Sequence, residues 1–212
     1  MTSHHNYIAQ LLATLAASLG PWFTVCADTS PPVKALQWEL TFSDEFDGPD
    51  IDLDKWEILT RKDSYNNEKQ YYLPAQASIV DGMLRITATN EPHDGKAYRS
   101  ARLESWFTQA YGRFEARAKL PTTKGIWPAF WLLPRTGEWP NNGEIDIMEN
   151  AGSKPTTVQC ASHFADDSGK HDHVYKTYSA QDADGKPVIF SEGFHLYAVE
   201  WSPEEMVFFV DN

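Results

Sequence analysis

Alternation of apolar and polar residues with a period of two is the feature that most restricts how this chain can fold. It runs through most of the sequence after Trp38, and short turns rich in Asp, Gly and Pro interrupt it. Successive side chains of a β-strand point to opposite faces of the sheet, so this period predicts strands with one buried face. After residue 27 no apolar stripe has the 3.6-residue period of a helix. The pattern predicts an all-β domain of about ten strands, arranged as a β-sandwich of two antiparallel sheets.

The predicted strands follow one another at short intervals. They cover residues 38–42, 78–80, 83–89, 98–106, 111–120, 129–133, 143–150, 156–164, 194–201 and 206–210. Asp81-Gly82 separates two of these segments, and a two-residue Asp-Gly connection is typical of a β-hairpin. The Lys- and Asp-rich segment 166–187 is predicted to be a long loop.

The N-terminal 27 residues contain no Lys, Arg, Asp or Glu, and Val25-Cys26-Ala27 is typical of a signal-peptidase site. The apolar run at residues 8–19 is shorter than the roughly 20 residues that span a bilayer. We expect residues 1–27 to be a secretory signal peptide, 28–37 a short linker and 38–212 one domain. The mature protein is then extracellular or periplasmic, without membrane attachment, and Cys160 is its only thiol. An apolar N-terminal anchor is the alternative.

The net charge limits the partners of this chain. It has 18 basic and 30 acidic residues, a formal charge of −12, which disfavours nucleic acid, anionic polysaccharides and anionic membranes. Its aromatic content is high, with 8 Trp, 9 Tyr and 11 Phe. Aromatic rings fill protein cores and also stack on sugar rings, so a neutral, ring-shaped substrate is favoured.

Three carboxylates are concentrated in residues 143–150, Gly-Glu-Ile-Asp-Ile-Met-Glu-Asn. Glu144 and Asp146 share one face of a strand, whereas Glu149 joins them only if a β-bulge near 147–148 adds one residue. Three carboxylates this close together repel one another. Such a costly arrangement is expected where one carboxyl stays protonated beside an ionised neighbour. Two carboxyls about 5 Å apart carry out retaining glycoside hydrolysis. On spacing alone, a solvated acidic strand and a calcium site are alternatives.

Tryptophans surround the acidic strand. Trp127 and Trp131 are four residues apart, hence on one side of an extended segment, and Trp139 precedes the acids. We expect them to line a groove and stack on sugar rings. For Trp127 and Trp131, packing in the core is the alternative.

Several motifs together resemble glycoside hydrolase family 16, most nearly its laminarinase-type endo-β-1,3-glucanases. They lie at residues 38–46, 66–72 (Asn-Asn-Glu-Lys-Gln-Tyr-Tyr), 111–121, 125–134 and 143–150. The resemblance implies a concanavalin A-like jelly roll with an open cleft. It also implies that Glu144 is the nucleophile, Glu149 the general acid/base, and Asp146 a hydrogen-bond partner of the nucleophile.

The resemblance extends to binding residues. It implies that His163 lies near the cleaved sugar, that Asn67 belongs to a turn lining the cleft, and that no cofactor is required. Glu45 and the carbonyl of Gly82 match two ligands of a possible structural calcium. Because domains of this family continue with further strands, residues 38–212 are expected to lack the C-terminal ones.

The implied activity is that of a secreted, endo-acting, retaining hydrolase of β-1,3- or mixed β-1,3/1,4-glucan. Its partner is expected to be a neutral polysaccharide, and the protein a monomer. Two alternatives stay open: a non-catalytic β-glucan-binding homologue and an agarase-type hydrolase of the same family. The paired glutamates favour an enzyme, because binding-only relatives usually lack them.

Two other clusters are weaker. His163, His171 and His173, with Asp166 and Asp167, offer metal ligands, but a loop with this spacing does not favour a tetrahedral site. Cys160 is three residues from His163, so on one strand the two side chains are expected to point to opposite faces.

Overall fold

The computed structural model describes residues 38–63 and 65–211, and in them the chain forms thirteen strands and one short 3₁₀ helix at Pro74–Gln76. The strands are β1 (Trp56–Ile58), β2 (Gln70–Tyr72), β3 (Ala77–Ile79), β4 (Leu84–Ile86), β5 (Tyr98–Ser100), β6 (Leu103–Ser105), β7 (Gly112–Ala118), β8 (Ala129–Leu132), β9 (Glu144–Glu149), β10 (Val158–Ala165), β11 (His171–Tyr178), β12 (His195–Trp201) and β13 (Met206–Val210). The predicted signal peptide and linker lie outside the described residues. Within the described ranges, no helix has the length and apolar character to cross a bilayer.

Two antiparallel sheets form the body of the domain. One has the strand order β11-β10-β9-β8 and the other the order β13-β12-β7. Strand β9 packs against β12. Smaller antiparallel pairs join β1 to β6 and β3 to β4, while β2 and β5 pair in parallel. The predicted all-β sandwich of jelly-roll type is confirmed.

The core lies between these two sheets, and period-two alternation supplies its side chains. Ile145 and Ile147 from β9 meet Tyr197 and Val199 from β12, and Phe190 from the preceding segment is fully buried with them. Burying an aliphatic or aromatic side chain of this size contributes about 1.5–3 kcal/mol. One face of β9 is thereby anchored, and the other is left for polar side chains.

The predicted Asp81-Gly82 hairpin is confirmed between β3 and β4. Asp81 and Gly82 have φ angles of 54° and 67°, the left-handed pair that a type I′ turn requires. Val80 and Met83 exchange two backbone hydrogen bonds across the turn, of 2.9 and 3.1 Å.

The predicted loop at 166–187 is wrong over its first half, which contains β11. This strand pairs with β10 along its whole length, from Ala165–His171 to Val158–Tyr178. Successive side chains of β11 point to opposite faces, as in any strand. Because β11 is exposed at the edge of its sheet, both faces carry charged and polar residues, and no alternation of apolar and polar residues marks the strand. Polar edge strands are a normal protection against aggregation.

Two other strand predictions are corrected. Residues 38–42 form no strand; instead Phe42 stacks on Phe107 with ring centres 5.0 Å apart and contacts Trp56 edge-on at 5.7 Å. Aromatic packing, rather than a ladder of hydrogen bonds, holds this segment. Residues 98–106 divide into β5 and β6 because the chain changes partner there, from β2 to β1.

Candidate active site

A β-bulge brings the three carboxylates of β9 onto one face of the sheet. Against β10, Glu144 is opposite His163, Asp146 opposite Ala161 and Glu149 opposite Gln159. Residues 159, 161 and 163 alternate regularly and share a face, so their three partners do as well. Between Asp146 and Glu149 strand β9 holds one residue more than β10 requires, and the pairing with β8 shifts at the same place. The bulge predicted at 147–148 is confirmed.

Asp146 is the most buried of the three acids, with 3% of its surface exposed. Burial, the negative charges of Glu144 and Glu149, and a hydrogen bond with Glu144 together raise the pKa of Asp146 to about 8. At neutral pH Asp146 is therefore a neutral carboxylic acid that donates its proton in the hydrogen bond to Glu144. This matches the contact predicted between Asp146 and Glu144.

Glu149 has a different environment. Burial raises its pKa, a hydrogen bond from Trp127 lowers it, and the charge of Glu144 raises it again. The indole N–H is the only polar group of Trp127, so the indole donates and the carboxylate accepts. A carboxyl with a raised pKa retains its proton closer to neutral pH, which is what a general acid needs.

Trp127 and Trp139 are both half exposed, at 51% and 49%. Trp139 Nε1 donates a 2.8 Å hydrogen bond to Oε2 of Glu144. Each of the two outer glutamates therefore has its own tryptophan donor, and each indole is about half open to solvent, with the ring of His171 4.5 Å from that of Trp139. Partly exposed aromatic rings beside carboxylates agree with the sugar-stacking prediction.

Trp131 lies opposite Asp146 on β8, but its ring is partly covered. The guanidinium carbon of Arg102 is 4.5 Å from the ring centre, and Arg102 also forms a 2.7 Å ion pair with Glu104. This cation–π contact takes up one face of the indole. Trp131 therefore offers less free ring surface for stacking than Trp127 does. It nevertheless lies on the face of the acids, whereas its neighbours Phe130 and Leu132 pack against the core, and stacking of Trp131 on a sugar stays a prediction.

Sequence reasoning missed a polar group at β2. The Tyr72 hydroxyl donates a 2.7 Å hydrogen bond to Oε2 of Glu68, and Gln70 Nε2 contacts both. Burial and the neighbouring Glu68 raise the pKa of Tyr72 to about 12, although the positive charge of Arg102 opposes this. The alternation Glu68, Gln70, Tyr72 was the available sign that these side chains share a face.

His163 contacts Asp146 directly, as its Nε2 lies 3.0 Å from Oδ2 of that residue. Its other ring nitrogen, Nδ1, lies 2.8 Å from Nε2 of His171. Burial lowers the pKa of His163, the charge of Glu144 opposes this, and His171 and His173 lower it further. A neutral imidazole results, which donates its Nε2–H to Asp146. The sequence prediction of a loop had separated His171 and His173 from this group.

Among the described residues, Asn67 and Cys160 form no hydrogen bond or ion pair with the three acids. Asn67 is exposed and left-handed (φ 59°) in the turn before β2. Cys160 directs its Sγ towards the carbonyl of Lys176, at 3.8 Å, and the regular register of β10 places it on the face opposite His163, as expected.

Glu45 and Gly82 do not by themselves fit a calcium site. Among the described residues Glu45 belongs to neither cluster of three neighbouring His, Cys, Asp or Glu ligands. Gly82 occupies an exposed turn where an added Cβ would meet nothing within 4 Å. Calcium takes six to eight oxygen ligands, and these residues supply two. Calcium binding stays a prediction.

Comparison with known proteins places this geometry in context. A family model described as "Glycosyl hydrolases family 16" matches residues 59–212. A beta-glucanase of Rhodothermus marinus is 40% identical over 194 residues, which cover 84% of this chain and 65% of that protein. A glucan endo-1,3-beta-glucosidase of Cryptopygus antarcticus is 34% identical over 82% of this chain and 67% of its own length. The chain thus spans about two-thirds of these relatives.

A solved structure shares the fold. The laminarinase catalytic domain from Thermotoga maritima superposes with a TM-score of 0.71 and is 34% identical in sequence. The superposition covers 83% of this chain and 75% of that domain.

Proposed function

The chain belongs to glycosyl hydrolase family 16, and on this basis we propose that it hydrolyses β-1,3- or mixed β-1,3/1,4-glucan at internal linkages, with retention of configuration. The observation that carries the proposal is the bulge in β9, which puts Glu144, Asp146 and Glu149 on one face. Two of these acids have raised pKa values. Acid-assisted glycoside cleavage requires one protonated and one ionised carboxyl on the same surface.

Glu144 is the proposed nucleophile. Its carboxylate attacks the anomeric carbon and forms a glycosyl ester, while Glu149 gives its proton to the departing glycosidic oxygen. Glu149 then removes a proton from water, which attacks the anomeric carbon and releases Glu144. The bulge leaves Glu149 four β10 positions from Glu144 instead of five, which shortens the gap that the two side chains must bridge.

Asp146 and Trp139 hold the nucleophile from two sides in this proposal. Neutral Asp146 donates a hydrogen bond to Glu144, and so does the indole of Trp139. Two donors orient the carboxylate towards the sugar. His163 in turn donates to Asp146 and fixes its position.

The substrate class follows from charge and aromatic surface. The half-exposed indoles of Trp127 and Trp139 stack on sugar rings in the proposed complex, with Asn67 at the cleft margin. A chain with a net charge of −12 suits a neutral glucan better than a sulfated galactan. Secretion and a monomeric state belong to the same proposal.

Reducing-sugar release from laminarin, lichenan and agarose, measured in parallel, tests this function. We expect release from laminarin or lichenan, with the β-anomer of the product appearing first by NMR. Glu144→Gln is the control, because it removes the nucleophilic charge at nearly constant volume and should abolish turnover. Release from agarose alone would indicate the agarase-type alternative. Glucan binding by a folded protein without any release would indicate a non-catalytic binding protein.

A further inference from the structure

Three histidines meet on the face of the sheet that carries the acids. His163 lies opposite His173 in the pairing of β10 and β11, and His171 is two residues from His173 on the same side. One ring nitrogen from each lies within 4.8 Å of those of the other two. His171 and His173 are exposed, so this group is open to solvent. The proposed glycosidase chemistry uses neither of them.

The hydrogen bond between Nε2 of His163 and Asp146 is a feature that this group shares with metal sites. Metal-binding histidines usually donate their other N–H to a carboxylate, which fixes the tautomer and the direction of the ring. His163 does this through Nε2, 3.0 Å from buried Asp146, so its Nδ1 carries a lone pair. That lone pair points to Nε2 of His171, 2.8 Å away.

The ring separations agree with three imidazoles around one ion. Zinc–nitrogen bonds of about 2.0–2.1 Å put each ring centre about 3.2 Å from the metal, so ring centres lie about 5.2 Å apart at tetrahedral angles and about 5.5 Å apart at 120°. In the structure the centres of His163, His171 and His173 are 5.1, 5.4 and 5.5 Å apart. Coordination needs the two closest nitrogens, those of His163 and His171, to separate by about 0.5 Å. The three rings lie within 20° of parallel, so the exposed rings of His171 and His173 must also rotate until their lone pairs converge on the ion.

We propose that His163, His171 and His173 form a binding site for a divalent transition-metal ion that favours imidazole, such as Zn²⁺. The ion takes the place of the hydrogen bond between His163 and His171. The proton of His171 then resides on its Nδ1, so none needs to be released. Calcium and magnesium, which prefer oxygen ligands, are excluded by the donor set.

The site adjoins the acids, which gives it a consequence that rests on the proposed function. His163 contacts Asp146, and the ring of His171 lies 4.5 Å from that of Trp139, which holds Glu144. An ion at this place, with a coordination position open to solvent, occupies the space beside the residues that bind and cleave the sugar. Bound Zn²⁺ therefore inhibits hydrolysis.

Calorimetric titration of the full, EDTA-treated chain with Zn²⁺ tests the site without reference to activity. We expect one ion per chain, no comparable binding of Ca²⁺, and an affinity about tenfold or more weaker in His171→Gln and in His173→Gln. His93 lies outside this group and contacts the ring of Tyr71, so His93→Gln is the matched control and should bind Zn²⁺ like the wild type. Absence of Zn²⁺ binding, or binding equally strong in His173→Gln, would overturn the site.

Laminarin hydrolysis with and without Zn²⁺ tests the consequence. The wild type should lose most activity in Zn²⁺ and regain it in EDTA, whereas His173→Gln should be much less sensitive. Zn²⁺ that binds with the expected stoichiometry but leaves the rate unchanged would overturn the inhibition. If the wild type hydrolyses neither laminarin nor lichenan in EDTA, the proposed function fails, while calorimetry still decides the metal site.

Discussion

The indole of Trp139 donates its N–H to the carboxylate of Glu144, with 2.8 Å between Nε1 and Oε2. Because Trp139 belongs to the segment before β9 and Glu144 begins that strand, the turn between them aims a donor at the proposed nucleophile. The same indole is half exposed, so one side chain both orients the carboxylate and offers a stacking surface.

Trp139→Phe is expected to lower kcat/KM on laminarin by roughly 10- to 100-fold. The substitution keeps an aromatic ring but removes a hydrogen bond to a charged group, which contributes about 1.5–3 kcal/mol. Trp106→Phe is the matched control, since Trp106 is also 49% exposed and its indole donates to the carbonyl of Leu53, away from the acids. Equal losses in both variants would contradict a specific role for the Trp139–Glu144 contact.

Trp127→Phe is expected to move the alkaline limb of the kcat/KM–pH profile to higher pH. The hydrogen bond from Trp127 stabilises ionised Glu149 and so lowers its pKa, against the effects of burial and of Glu144. Without the donor the pKa of Glu149 rises, and the general acid stays protonated at higher pH. Trp131→Phe, which removes no donor to Glu149, should alter the rate without moving that limb. An unchanged limb in Trp127→Phe would show that Glu149 is not the group that limits activity there.

Asp146→Asn is expected to make the free energy of unfolding less dependent on pH. The pKa of Asp146 is about 8 in the folded chain, against an ordinary value of 3.8, so folding favours its protonated form. That contribution is complete below about pH 4 and is lost as the pH rises through 8. Asparagine cannot ionise, so its variant should keep stability that the wild type loses over this interval.

Urea unfolding at pH 5 and pH 8 in metal-free buffer measures this effect. The difference between the two midpoints should be smaller in Asp146→Asn than in the wild type. Asp172→Asn, at an exposed position of β11, is the control and should retain the wild-type difference. A pH dependence that is the same in all three proteins would contradict a buried, neutral Asp146.

Much of the acidic site was predictable because strand parity is a strict rule. Glu149 has the wrong parity relative to Glu144, and only an added residue reconciles them, so the spacing of the acids alone indicates the bulge at 147–148. Hydrogen-bond donors were not predictable in this way. The turn before β9 brings Trp139 to Glu144, and Arg102, in the connection between β5 and β6, covers one face of the Trp131 ring.

Strand β11 was missed because hydrophobic patterning marks only strands that bury one face. All eight of its residues are exposed, so polarity favoured a loop although the ladder to β10 is complete. The three histidines come together only through that ladder. The sequence alone therefore does not predict that these histidines lie close together.

Gly152→Ala is expected to destabilise the domain by about 1–3 kcal/mol and to lower activity as well. A Cβ at Gly152 would fall on the backbone carbonyl of Thr123, which cannot move as freely as the end of a side chain. The amide of Gly152 also donates a 2.9 Å hydrogen bond to the carbonyl of Ile126, so displacement would shift the segment that carries Trp127. Gly193→Ala is the matched control, because the nearest atom to a Cβ added at Gly193 is Nε2 of His195, at an ordinary distance of 3.8 Å. Thermal unfolding and laminarin hydrolysis of both variants check the prediction. An alanine tolerated equally at both positions would rule out the close approach of Gly152 to the backbone of Thr123.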